Sequence, residues 1–497
     1  MLFNSYGFIF LFLPIAAALY YLIGGRNNDL GALWLALASL VFYGYWNPAY
    51  LPLLLASVAV NFGVGRVIAA AASPVGSRLA LVAGLAFDLL LLGFYKYTGF
   101  LAQALNDALG LGVPVPEIAL PLGISFFTFT QIAFLVDVYQ GKVREYRFVH
   151  YLLFVTFFPH LIAGPILHHK EIMPQFAKPR TYRLSAANLA VGLAIFSIGL
   201  CKKDAIADGF SPFVAHVFDA AKQGTTPGLV EAWSGALAYT LQLYFDFSGY
   251  SDMAIGLARI LGIRMPLNFL SPYKAADIVD FWRRWHMTLS RFLRDYLYFP
   301  LGGNRRGKAR RYLNLMITMV LGGLWHGASW TFVAWGTLHG LYLVANHAWR
   351  AASHRLGLRP RQSTVWTRGL ARLLTFVSVV MAWVLFRADS FASAERVITG
   401  MTGLAGLAPT LARWRWSSSY GYILAGLLIV WLAPNTQEIM ARYAPSLPFD
   451  RRLKDAPMPG FVARWRLDLP WAYATAAVAC AGLLWLGRIT EFLYFRF

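Results

Sequence analysis

The sequence predicts an all-α polytopic membrane protein, and two observations carry that prediction. Hydrophobic residues make up 58% of the 497 positions and charged residues 13%, a balance outside the soluble range. Segments near the roughly 20 apolar residues that span a bilayer also recur along the chain, about a dozen by hydropathy. Gly7–Gly24, Tyr50–Ala72, Leu79–Tyr95, Trp330–His347, Leu370–Phe386 and Trp471–Leu486 are the clearest. A membrane β-barrel would show short alternating strands instead. With no soluble domain, coiled coil or fixed-period repeat, residues 1–497 read as one integral domain.

The first apolar segment has no Lys or Arg before it and Arg26 after it. A secretory signal carries its charge in front, so this segment reads as a retained helix with its N-terminus outside. The formal net charge of +21 follows from arginines in cytoplasmic loops, with anionic lipid or ligand as a further partner, rather than from nucleic-acid binding. Cys201 and Cys480 stand alone, which argues against a disulfide framework and against a zinc site.

Three stretches break the regular pattern. The basic loop from His168 to Arg183 follows "FFPHLIAGPI" and a basic loop from Gly141 to Arg147. A plain crossing between two basic loops violates alternation of sides. A Pro- and Gly-broken re-entrant segment restores it, and such backbone survives only where protein or a water-filled cavity surrounds it. The adjacent His168 and His169 have poor spacing for a metal. Asp246 and Asp252, at apparent membrane depth, read as partners of arginines or as helix caps.

The second stretch runs from Asp277 to Arg311. A helical wheel over Asp280–Phe299 puts Asp280, Arg283, Arg284, Arg291, Arg294 and Asp295 on one face. Phe281, Trp282, Trp285, Leu289, Phe292 and Tyr296 fall on the other, with His286 on the apolar flank. One continuous helix lying along the membrane surface is expected, ended by Pro300 and "GGNRRG".

The third loop, Arg350 to Arg372, is basic like the second, so Tyr312–Trp349 must enter the membrane and return. Its first arm, Leu313 to Trp325, is short for a crossing at roughly 1.5 Å per residue. His326, in "GGLWHGASW", therefore falls within the membrane thickness or just below the outer face, where an ionisable residue is a functional candidate. Trp325 and Trp330 flank it in sequence. A neutral imidazole can take a proton from a hydroxyl and return it to a leaving group. Gly322, Gly323 and Gly327 serve either close approach of substrate or helix packing. His339 reads as a packing or hydrogen-bonding residue.

These stretches together resemble the membrane-bound O-acyltransferase family, in its bacterial alginate O-acetylation branch, nearly from end to end. The resemblance rests on "MLFNSYGFIFLFLP", "PLGISFFTFTQIAFLVDVYQG", "FFPHLIAGPI" and "DFSGYSDMAIGLARILGI". It is most specific in "DFWRRWHMTLSRFLRDYLYFPLGGNRRG" and "GGLWHGASWTFVAWGTLHG". It implies a ring of tilted helices around a central funnel, with re-entrant and interfacial helices. His326 is implied as the catalytic residue, acting as general base or acyl relay, and His286 as the second signature position. No bound cofactor is implied; cytosolic acetyl-CoA is the acyl donor. Asp280, Arg284, Trp285, Arg291, Arg294, Asp295, Trp325, Ser329 and Trp330 are the expected donor- and substrate-binding residues, with no metal ligand among them. The location implied is a bacterial inner membrane. The acceptor is an extracytoplasmic polysaccharide or a periplasmic relay protein; "FFPHLIAGPILHHKEIMPQF" departs from the alginate enzymes and leaves cellulose, peptidoglycan or another glycan open. An export pore or a scaffold for a periplasmic transferase is the rival reading, with membrane-depth His and Asp in common.

Overall fold

In the computed structural model, residues 1–143, 147–357, 364–406, 416–447, 462–486 and 493 are described, with side chains of 416–418 excepted. Residues 144–146 of the first basic loop and 358–363 of the third lie outside them. Every regular element among the described residues is helical.

Four helices are long and apolar enough to cross a membrane: Gly7–Gly24, Pro48–Ala70, Pro74–Leu109 and Val365–Arg387. Asn28–Gly44, Ile124–Tyr139, Ser419–Leu432 and Leu469–Trp485 are shorter apolar helices. The predicted Trp330–His347 lies inside a helix, Trp330–Arg355, that is not among these. A core of protein-buried helix carries polar residues. The 32-residue helix Leu229–Ile260 is the axis of that core and is buried over nearly its whole length, Asp246, Asp252 and Arg259 included. At roughly 1.5 Å per residue it is about 48 Å long. Helix Ala186–Leu200 lies directly against it: a Cβ on Gly199 would sit 2.6 Å from the Gly249 carbonyl oxygen, so glycine is what lets the two backbones touch.

The first helix belongs to this core. Phe3 stacks on Tyr250 at 4.8 Å between ring centroids, and Phe8 packs on Phe42 and Phe158. The expected re-entrant segment is a broken one. Helix Phe148–Thr156 ends at Phe157, a single turn spans Phe158–Leu161, and 162–167 is irregular. From His150 to Leu167 it is buried. Its backbone is satisfied by side chains: the Phe158 N–H donates to Ser39 Oγ at 3.1 Å and the Ile166 N–H to Thr288 Oγ1 at 3.0 Å. Irregular backbone enclosed by protein in this way is the arrangement that membrane depth tolerates.

Three sequence expectations are corrected here. The surface helix is not continuous: Ile278–Trp282 and Met287–Leu293 are separated by a turn in which His286 takes φ 42°. Asn268 holds the break: its backbone carbonyl accepts from the Met287 N–H at 2.9 Å and its side-chain Oδ1 from Thr288 Oγ1 at 3.0 Å. The two wheel faces survive it, since Phe281, Trp285, Leu289 and Phe292 are buried while Arg283 and Arg294 are exposed. The short arm before His326 belongs to a longer helix, Gly307–His326, because Lys308, Arg310 and Arg311 are good helix formers that extend it toward the basic loop. Finally, the membrane-depth aspartates pair with lysines, not arginines: Lys203 with Asp246 at 2.9 Å and Lys202 with Asp252 at 2.6 Å.

Candidate active site

His326 closes its helix, and the chain turns through the extended Gly327 before Ser329 caps the next helix by accepting from the Thr331 N–H. The two helices run side by side because Gly323 faces Gly336. A Cβ on Gly323 would lie 2.3 Å from the Phe332 carbonyl oxygen, and one on Gly336 2.3 Å from that of Met319. Gly323 thus serves helix packing, the second of the two roles its sequence allowed. This tight hairpin fixes where the His326 ring points.

The ring is 5% exposed and walled by aromatic side chains. Trp325 and Trp335 lie 5.1 Å away between centroids and Phe386 5.2 Å, all with rings steeply inclined to the imidazole. The second tryptophan is therefore Trp335 and not Trp330. The extended backbone at Gly327 and the new helix start carry Trp330 outward, where it is 54% exposed and meets Phe100. Behind Trp335 come His339 at 4.8 Å and Trp383 at 5.7 Å, so His339 is a packed ring of the same aromatic box.

His286 is fully buried, and its ring centroid is 6.3 Å from that of His326. Left-handed backbone at a non-glycine residue costs about 1–2 kcal/mol, and the Asn268 bonds hold it there. The break in the surface helix thus turns His286 inward to Phe247, at 4.8 Å, and toward His326. Trp285 packs on Trp383 at 4.9 Å and on Phe281 at 5.7 Å, joining the same box from the surface-helix side.

The charged residues singled out on the surface helix stand apart from the imidazoles and are engaged with carboxylates. Arg284 pairs with Asp280 at 2.8 Å, Arg294 with its neighbour Asp295 at 2.8 Å, and Arg291 grips Glu171 with two nitrogens. His168 and His169 belong to a separate buried network: Tyr296 Oη lies 3.0 Å from His168 Nδ1 and donates to Asp137, which is 3.3 Å from His169.

Sequence reasoning missed Lys96. Its ammonium donates to the carbonyls of Trp325 and, at 3.3 Å, of His326, and lies over the Trp325 ring. A cation at a helix C-terminus satisfies carbonyls that have no partner in the helix. The signal was present as a lone lysine in the apolar run "LLLLGFYKYTGF", the kind of membrane-depth charge that marks a candidate.

Phe386, which packs on His326 and on Phe332, lines with Phe332 a polar cavity of about 390 Å³. Ser329, Thr331, Asp219, Lys222, Arg387 and Asp389 line it. Helix Trp330–Arg355 leads from this cavity to the basic loop at Arg350–Arg372, and Val365–Arg387 leads back. A buried imidazole with an aromatic wall on one side and a polar cavity on the other can accept a proton from a hydroxyl and release it to a leaving group.

Comparison with known proteins places the chain in a family. Residues 85–386 match the model of MBOAT, the membrane-bound O-acyltransferase family. The chain is 44% identical over 434 residues to a peptidoglycan O-acetyltransferase of Helicobacter pylori, covering 82% of this chain and 81% of that one. It is 42% identical over 407 residues to a Pseudomonas aeruginosa protein named probable alginate O-acetylase AlgI, covering 81% and 75%. A teichoic acid D-alanyltransferase of Bacillus subtilis is 29% identical over 54% of this chain and 69% of its own length. The chain belongs to the membrane-bound O-acyltransferase family and is an O-acyltransferase.

Proposed function

We propose that this protein transfers acetyl groups from acetyl-CoA on the cytoplasmic side to hydroxyls of an extracytoplasmic polysaccharide, in the inner membrane of a bacterium, with His326 as general base. The observation that carries the reading is the position of the His326 ring between the aromatic box of the surface-helix side and the polar cavity of the other. The glycan O-acetyltransferase names of its relatives support the acetyl group and the sugar hydroxyl.

In this reading the thioester carbonyl sits beside His326. The acceptor hydroxyl attacks it while the imidazole takes the hydroxyl proton. The new C–O bond forms, the C–S bond breaks, and the imidazolium returns the proton to the CoA thiolate. His286 orients the donor or its neighbour ring from 6.3 Å away. Because Arg284, Arg291 and Arg294 already hold carboxylates, the exposed Arg305, Arg306, Lys308 and Arg310 of the following loop suit the CoA phosphates better.

Purified protein with acetyl-labelled acetyl-CoA tests this. Wild type should release CoA and His326→Ala should not, both remaining folded. Equal CoA release by the two proteins would remove His326 from the chemistry. Label retained on wild type after denaturation would replace the general base with an acetyl-histidine relay.

A further inference from the structure

The turn that follows His326 is held from a third helix. The last C=O groups of an α-helix have no partner within it, and three of those in Gly307–His326 are met by side chains of the apolar helix Pro74–Leu109. Tyr97 Oη donates to the Leu324 carbonyl at 3.0 Å. Lys96 Nζ donates to the carbonyl of Trp325 and, at 3.3 Å, to that of His326 itself. Both donors stand on the π-helical stretch Gly93–Tyr97, where i→i+5 bonding widens the turn and interrupts the regular helix. Two adjacent residues thus serve three consecutive carbonyls, and π-helical interruptions recur at functional sites.

Lys96 is fully engaged with the protein. An ammonium has three N–H donors, and three oxygens surround it: the two carbonyls and Ser125 Oγ at 3.4 Å. The Trp325 ring lies under it at 5.9 Å. What the lysine touches is the frame of the site, namely the backbone of His326 and both the backbone and the ring of Trp325. That ring is 5.1 Å from the imidazole and packs on Phe126 at 5.5 Å and on Phe129 at 5.2 Å. The glycine contacts of the hairpin fix where its two helices lie. The peptide after His326, however, leaves the helix at the extended Gly327, and its carbonyl is the one that Lys96 bonds. Turning that peptide plane would carry the ring with it. Reacting groups tolerate little of this: a misplacement of about 1 Å can cost about 10²-fold in rate.

We propose that Lys96 is a positioning residue for acyl transfer: by bonding the carbonyls of Trp325 and His326 from a neighbouring helix, it fixes the imidazole where the acceptor hydroxyl and the thioester meet. This rests on the reading of His326 as the base, and the test separates the two.

The experiment uses the full-length protein in detergent with acetyl-CoA and compares wild type, Lys96→Met, Tyr97→Phe and His326→Ala. CoA release gives kcat and KM per folded molecule, and thermal unfolding gives stability. Lys96→Met keeps an unbranched apolar chain and removes the donors. Its kcat should fall about tenfold or more while KM for acetyl-CoA changes less than about threefold. Tyr97→Phe is the control, because it removes a bond on the same turn that does not touch His326. It should lower the unfolding midpoint while kcat changes less than about threefold. A Lys96→Met protein with kcat within about threefold of wild type overturns the proposal. An equal fall of kcat in Tyr97→Phe, or a Lys96→Met protein that does not fold, makes the pair a structural helix cap and overturns it as well. Undiminished CoA release by His326→Ala overturns the parent reading instead.

Discussion

Two buried polar regions of this protein answer the same physical problem in opposite ways. Around Lys203, on the segment after helix Ala186–Leu200, charge is cancelled by charge: the ammonium sits 2.6 Å from Asp208 and 2.9 Å from Asp246. Around His326, an ionisable ring is enclosed by Trp325, Trp335 and Phe386, with a second imidazole nearby. The first arrangement locks its groups into one state, because removing any partner strands a buried charge. The second packs an imidazole among aromatic rings and beside a second imidazole, a ring type suited to proton transfer. The sequence placed both Asp246 and His326 at membrane depth, reading the first as a charge partner or helix cap and the second as a functional candidate; what surrounds each one accords with that difference.

Substitutions in the two regions should have opposite signatures. His326→Gln should lower acetyl transfer by about 10²–10⁴-fold, the usual contribution of a positioned base, while the thermal unfolding midpoint in detergent stays near that of wild type. Lys203→Met should do the reverse. It leaves Asp208 and Asp246 uncompensated and should cost about 3–5 kcal/mol of stability, read as a lower unfolding midpoint, while turnover per folded molecule is retained. If Lys203→Met abolished transfer without destabilising the protein, the distinction between brace and reactive site would collapse.

Gly336→Ala tests the hairpin that aims the imidazole. Its new methyl would meet the Met319 carbonyl at 2.3 Å, and overpacking of this kind costs about 1–3 kcal/mol. Both stability and transfer should fall, since the same contact holds the fold and the ring. The last substitution is His286→Gly. Glycine relieves the left-handed strain, worth about 1 kcal/mol, but removes a fully buried ring at a cost of about 2–5 kcal/mol, so the net loss of stability should be smaller than at an unstrained buried site, while acetyl transfer slows. Unchanged transfer in that variant would make His286 a packing residue.

Much of this molecule was legible in its sequence, and the parts that were not share one property. Composition and hydropathy determined the all-helical membrane class, and the apolar periodicity of 280–299 determined which side of that stretch is buried. The Pro- and Gly-broken run at 157–166 announced irregular backbone, and the motifs around His326 and His286 singled out two rings that do come together. These signals are local: each is carried by residues within a few turns of one another.

Tertiary structure alone decided the rest. Asn268, not the wheel, breaks the surface helix at His286. Glu171 takes Arg291 from 120 residues away, which the charge pattern of the helix could not foretell. Trp335 and Phe386 replace Trp330 at the imidazole because a glycine turn and a packed hairpin set the direction of the rings. Lys96 reaches the carbonyl of His326 from 230 positions earlier in the chain. Hydropathy records how much a residue gains by leaving water, and periodicity records which way it faces. Neither records which distant partner a buried charge will find, and in this protein that pairing separates the structural charges from the candidate site.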